Sequence, residues 1–264
     1  MVNLYESAHH CLMLKTIEEK RVCVDALYSD WKNKSLVREQ TELNPIEIPG
    51  RPDKPELIPH AQLKQRKLGS DLGRATLIHA IAHIEFNAIN LALDAVYRFR
   101  DMPDDYYTDW LKVASEEAYH FSLLEQRLQD LGYTYGDLPA HNGLWEMVIK
   151  TDHDVMIRMA LVPRVLEARG LDVTPAMMKK LEKVGDNKTV KALEIILQDE
   201  IGHVAIGSHW FKYCCELRGI EPEQTFRDLL KTYMGGMLRG PFHTEARLKA
   251  GFSQQEMDEL VRMT

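Results

Sequence analysis

The 264-residue chain has no apolar run approaching the length of a membrane-spanning helix. Its first residues, from Met1 to Ser7, lack the charged-then-apolar order of a secretory signal. These two absences set the expectation of a cytoplasmic protein with no membrane partner. Cysteine is scarce: Cys11, Cys23, Cys214 and Cys215 are the four, and none stands in a C-x-x-C spacing. That argues against a zinc or dithiol site and for small buried thiols in a reducing compartment. Basic charge is not in excess, since 33 Lys and Arg against 40 Asp and Glu leave a formal charge of −7. The chain thus has no general footprint for nucleic acid, which is disfavoured as a partner. No solenoid repeat is present, and strand-like alternation is nearly missing from Gly69 onward.

What the chain has is helical periodicity, which predicts an all-α fold. An amphipathic segment from Leu4 to Trp31 reads as one helix. A stretch with Pro45, Pro49, Pro52, Pro55 and Pro59 then forbids helix and favours an extended strap. Long helices are expected at 72–99 with Asp71 as N-cap, and at 104–130 with Gly132 as the terminating glycine. Two more are expected, at 144–169 closed by Gly170, and at 187–218 closed by Gly219. A short helix at 175–184 would begin on the pair Thr174-Pro175. Further helices at 222–234 and from Ser253 complete the tail. The expected organisation is an N-terminal extension over 1–68, a four-helix bundle over 69–219 and a C-terminal extension over 220–264.

Two short motifs carry chemistry. E-A-Y-H at Glu117 to His120 and E-I-G-H at Glu200 to His203 each set a carboxylate three residues before an imidazole. On a helix those positions share a face about 5–6 Å apart, so both side chains of a pair reach one small ion. Val113, Glu117, His120, Leu124 and Leu128 form one stripe, as do Leu193, Ile196, Glu200, His203, Gly207 and Trp210. An ionisable side chain in an apolar stripe is costly unless it is paired or holds a metal. A buried, hydrogen-bonded histidine is the plainer alternative for each copy alone, but the duplication on two helices favours metal. Glu85, on the stripe of Ile78, Ile81, Ala88 and Leu91, and Glu167, on the stripe of Met156, Ala160 and Pro163, supply one more carboxylate from each remaining helix. Glu85, Glu117, His120, Glu167, Glu200 and His203 are therefore the candidate metal ligands, the set with which a four-helix bundle holds two irons or manganeses.

Nearby residues leave alternatives. Glu116 competes with Glu117 for the metal but tilts to a flank, and His83 points away from the Glu85 face, to packing or ligand support. His79, His153 and His209 are off the stripes or too distant. Pro163 inside its helix should remove a hydrogen bond and kink it, either to open room for substrate or to fit a neighbouring helix. Arg158, Arg164 and Arg169 could receive a substrate anion, or pair with acids of the protein. Tyr97, Tyr119 and Trp210 flank the ligand helices and could relay electrons or be oxidised, with packing the favoured reading.

The order single Glu, Glu-x-x-His, single Glu, Glu-x-x-His resembles the ferritin-like superfamily of di-iron carboxylate proteins over about residues 70–218. The chain is more closely similar to an uncharacterised bacterial family of ferritin-like proteins. The shared segments are H-I-E at His83 to Glu85, L-V-P-R at Leu161 to Arg164, D-E-I-G-H-V at Asp199 to Val204, and the run from Pro241 to Phe252. It distantly resembles the tRNA-modifying di-iron hydroxylase. The resemblance implies a ferritin-like bundle and two iron ions, with manganese or a mixed pair fitting the same ligands. It further implies an oxygen-dependent oxidase or hydroxylase acting on a small molecule or modified biomolecule, with an external electron donor. Glu117 and Glu200 would bridge the metals, Glu85 and Glu167 would bind terminally, and each histidine would cap one metal. Competing expectations are an iron-handling ferroxidase or storage protein, and a helical scaffold with a structural metal. The long extensions favour the enzyme and a monomer or dimer over a storage cage.

Overall fold

The structure, a computed structural model, describes residues 2–64, 66–235 and 238–262. Among these residues it is all-α apart from a two-residue parallel pairing of β1 (Val2–Asn3) with β2 (Leu36–Val37) and an isolated parallel bridge between Leu57 and Ala140. The chain divides into two compact units, one through Ile149 and one from Lys150.

In the first unit, α3 (Asp71–Arg98) and α4 (Asp104–Asp130) are the principal pair. Before them come α1 (Leu4–Met13), which packs on α3, and α2 (Ile17–Lys32), which packs on α4. A single helix was expected over this opening segment. It breaks because Thr16 caps a new one, its hydroxyl accepting from the Glu19 amide at 3.3 Å and donating to the Glu19 carboxylate. The break turns α2 back on α1 and brings Cys11 and Cys23 to a Cα separation of 5.6 Å, where they form a disulfide. The expectation of four thiols is thereby corrected. Cys214 and Cys215 are buried free thiols, both pushed up to about 11 by burial.

Ser70, not Asp71, caps α3, its hydroxyl accepting from the Gly73 amide at 3.1 Å. Helix α3 is long and apolar enough to cross a membrane by length and composition, yet 78% of its most apolar stretch is buried. Its hydropathy is that of a core helix. Helix α4 ends where expected, because Gly132, at φ +80°, lets the Tyr133 amide return to the Leu128 carbonyl at 3.0 Å. The proline-rich strap is tied to this unit by backbone bonds: the Asn44 amide to the Tyr97 hydroxyl at 2.8 Å, the Trp145 ring N–H to the Glu47 carbonyl at 3.0 Å, and Ala140 to Glu56 at 3.0 Å. A short helix, α5 (Gly143–Lys150), closes the unit.

The second unit departs most from the expected boundaries. The helix expected at 144–169 is interrupted after α5. Asp154, held by Arg218 at 2.7 and 2.8 Å, accepts from the Met156 and Ile157 amides and starts α6 (Val155–Leu161). A π-helical turn over Val162–Glu167 follows, and the chain then continues as α7 (Ala168–Lys183). Gly170 therefore does not end a helix, and Thr174-Pro175 does not begin one. Proline already has a helical φ and forfeits one bond, to the Leu171 carbonyl, while burial of Leu171, Asp172, Thr174 and Leu181 holds the helix together. Helix α8 (Asn187–Leu217) packs along α6, the π turn and α7. The tail adds α9 (Pro222–Met234), α10 (Thr244–Lys249) and α11 (Gln254–Arg262).

Candidate metal centre

In the first unit, α3 and α4 bring three candidate ligands together. Their apolar stripes bury Glu85 to 3% exposure and both Glu117 and His120 to 0%. His120 Nδ1 lies 3.3 Å from Glu85 Oε2 and 3.3 Å from Glu117 Oε2. Ligand-capable atoms of these three residues fall within 4.8 Å of one another, close enough for one ion to be shared. Burial works against a charged His120 ring, but the facing Glu117 and Glu85 carboxylates outweigh it and hold the imidazole up to about 11. Two buried carboxylates thus face one imidazole.

In the second unit, α8 places His203 Nδ1 3.7 Å from Glu200 Oε1, with His203 buried and the Glu200 side chain 12% exposed. Glu167 is buried at the end of the π turn, the one candidate carried by irregular helix. The turn has a local cause. Pro163 withholds an amide from the helix, and its ring lies against Gly207 of α8, where a Cβ would come within 2.2 Å of it. Of the two readings of Pro163, this contact supports the fit to a neighbouring helix.

The alternatives resolve as follows. His83 engages the Tyr135 hydroxyl through Nδ1 at 2.7 Å and the His141 carbonyl through Nε2 at 3.1 Å, so both ring nitrogens are occupied. Burial pushes it down to about 4. His79 accepts from the Gly136 amide at 3.0 Å and stacks on Tyr135. Glu116 pairs with Lys112 at 3.4 Å, toward the flank. Each of the three arginines has a protein partner: Arg158 bonds Thr151, Arg164 pairs with Glu256 at 2.5 Å, and Arg169 donates to the carbonyls of Arg239 and Pro241.

Sequence reasoning gave no sign that Lys20 is buried, nor that Arg164, weighed above as a partner for acids, lies in an aromatic cage. Lys20, at 0% exposure, donates to the carbonyls of Cys11 (3.2 Å) and Leu12 (2.6 Å) and to Asn90 Oδ1 (2.6 Å). Arg164 sits among Phe211, Phe226 and Phe252, with its centre 4.3–4.8 Å from their rings. The Thr16-x-x-Glu19 spacing, a capping-box signature in the sequence, marks the turn that buries Lys20; nothing local signalled the aromatic cage.

Over residues 13–258 the chain matches the family described as "Protein of unknown function (DUF455)". It is 49% identical over 214 residues to an "Uncharacterized protein" of Haemophilus influenzae, which covers 78% of this chain and 74% of that protein. No solved structure matches.

Proposed function

The chain belongs to the DUF455 family of proteins of unknown function, and from that premise we propose that it is a ferritin-like dinuclear metal carboxylate protein. Glu85, Glu117, His120, Glu167, Glu200 and His203 are proposed to hold two irons, manganese or a mixed pair fitting the same donors. The proposed reaction is an oxygen-dependent oxidation or hydroxylation of a small molecule or modified biomolecule, with electrons from an external donor.

The observation that carries this reading is the convergence of Glu85 and Glu117 on His120, 3.3 Å each, in a fully buried place. Two buried carboxylates demand a cation. A metal ion is such a cation, and the facing donors would take it directly. The Glu-x-x-His pair on α8 repeats the same donors, and sequence pattern is the reason to join the two pairs in one centre. Hard carboxylate oxygens with neutral imidazoles suit iron or manganese. Bound there, such a pair supplies Lewis acidity and the electrons that dioxygen chemistry needs. The chain's own part is to hold the donors. The apolar stripes of α3 and α4 keep water from Glu85 and Glu117, and His120 must give up its proton to donate a ring nitrogen.

The test is metal content by mass spectrometry on protein from iron-supplemented cells, beside the Glu117→Ala/Glu200→Ala double variant. About two metals per chain are expected in the wild type and few in the variant. No bound metal after anaerobic ferrous reconstitution overturns the reading.

A further inference from the structure

We propose that the Cys11–Cys23 disulfide is a thiol-exchange site, opened at Cys23 by a neutral or cationic low-molecular-weight thiol entering between α1 and α2. The two helices flank an open cleft of about 310 Å³, lined by Glu6, Ser7 and His10 of α1 and by Ala26, Leu27 and Asp30 of α2, with both cysteines in its wall. The two sulfurs are not equivalent. Cys11 is fully buried, whereas Cys23 is half-buried. An incoming thiolate therefore meets Cys23 first, and Cys11 is the leaving group. Charge selects the thiol: Glu6 and Asp30 are exposed at the cleft and repel an anionic one. On the buried side, the Lys20 amine is held on the carbonyl of Cys11 itself at 3.2 Å, next to the residue whose sulfur takes the negative charge.

In the first step the thiolate RS⁻ attacks Cys23 Sγ. An RS–S bond forms, the Sγ–Sγ bond breaks, and the electron pair leaves on Cys11 Sγ, which is protonated from solvent. A second thiol then displaces Cys23, giving RSSR and two protein thiols, so that two thiols supply both electrons. The bond is the covalent tie between α1, which rests on α3, and α2, which rests on α4. Reduction would release that tie from the helices that carry Glu85, Glu117 and His120. The proposal is independent of any metal.

The experiment takes the oxidised full-length chain, without denaturant, and incubates it with cysteamine or with glutathione before quenching with N-ethylmaleimide and peptide mass spectrometry. Rates are divided by those of the same thiols on a small soluble disulfide. The expected result is a cysteamine adduct at Cys23 at least tenfold above any at Cys11, faster than the glutathione adduct, with Cys214 and Cys215 unmodified. Cys11→Ser should leave Cys23 open to cystamine, whereas Cys23→Ser should leave Cys11 unmodified until urea is added. An adduct chiefly at Cys11, exchange only in urea, or glutathione matching cysteamine overturns the proposal. The wild-type measurement decides it even where a variant fails to fold.

Discussion

At the scale of single residues, the buried cations concentrate the energetics. Lys20 donates to three acceptors, so Lys20→Met strands three buried oxygens. The expected loss is about 1–3 kcal/mol in urea unfolding. Burial pushes the Lys20 amine from 10.5 down to about 7. Between those values the unfolded chain binds more protons at this residue than the folded one, so its contribution to stability rises with pH through that window and is lowest below 7. The wild type should gain on Lys20→Met between pH 7 and pH 9, and a constant difference would contradict the burial. Arg164 poses the inverse case, an ion pair with Glu256 inside a cage of three phenylalanines. Glu256→Ala leaves that guanidinium buried without its carboxylate and removes the side chain that accepts from the Ser253 amide. A drop of about 3–5 kcal/mol is expected in the free energy of unfolding, read from denaturant titration.

Elements show where helical pattern meets local interruption. The π turn exists beside a glycine: Pro163 fills the space that a side chain at position 207 would take. Gly207→Ala should cost about 1–3 kcal/mol by overpacking, and Pro163→Ala in the same chain should recover most of it. If the double variant is no more stable than Gly207→Ala alone, the contact is not what shapes the turn. The bounds of α4 and α8 were legible because Gly132 and Gly219, both at positive φ, end them where the apolar stripes end. The breaks at Thr16 and Asp154 are passed over by periodicity, since the apolar pattern runs through both. A cap there wins by satisfying amides that periodicity ignores. The disulfide follows from the first of these breaks, and removing it with Cys23→Ser should cost about 3 kcal/mol on the chain-entropy estimate.

On the scale of the molecule, the prediction concerns metal. A ligand bound by the folded chain alone stabilises it by about 2.7 kcal/mol at a hundred times its Kd. Ferrous iron added without oxygen should raise the melting temperature of the wild type, and a chelator should reverse the rise. Glu117→Ala and His120→Ala should abolish the response, and His120→Ala, which leaves two carboxylates buried side by side, should also lower the metal-free melting temperature. A response undiminished in both variants would place the metal elsewhere.

The all-α class, the long helices and the three-residue spacing of each Glu and His pair follow from sequence alone. Helical periodicity fixes which side chains share a stripe before any packing occurs. The convergence of Glu85 with Glu117 and His120 required tertiary structure, because the two helices are separate in sequence and only their packing sets a distance between them. The same holds for Cys11 with Cys23 and for Arg164 with Glu256, which lie 12 and 92 residues apart. Contacts across such separations depend on where the chain turns. Those turns were decided by caps, a proline and a glycine that the apolar pattern does not record.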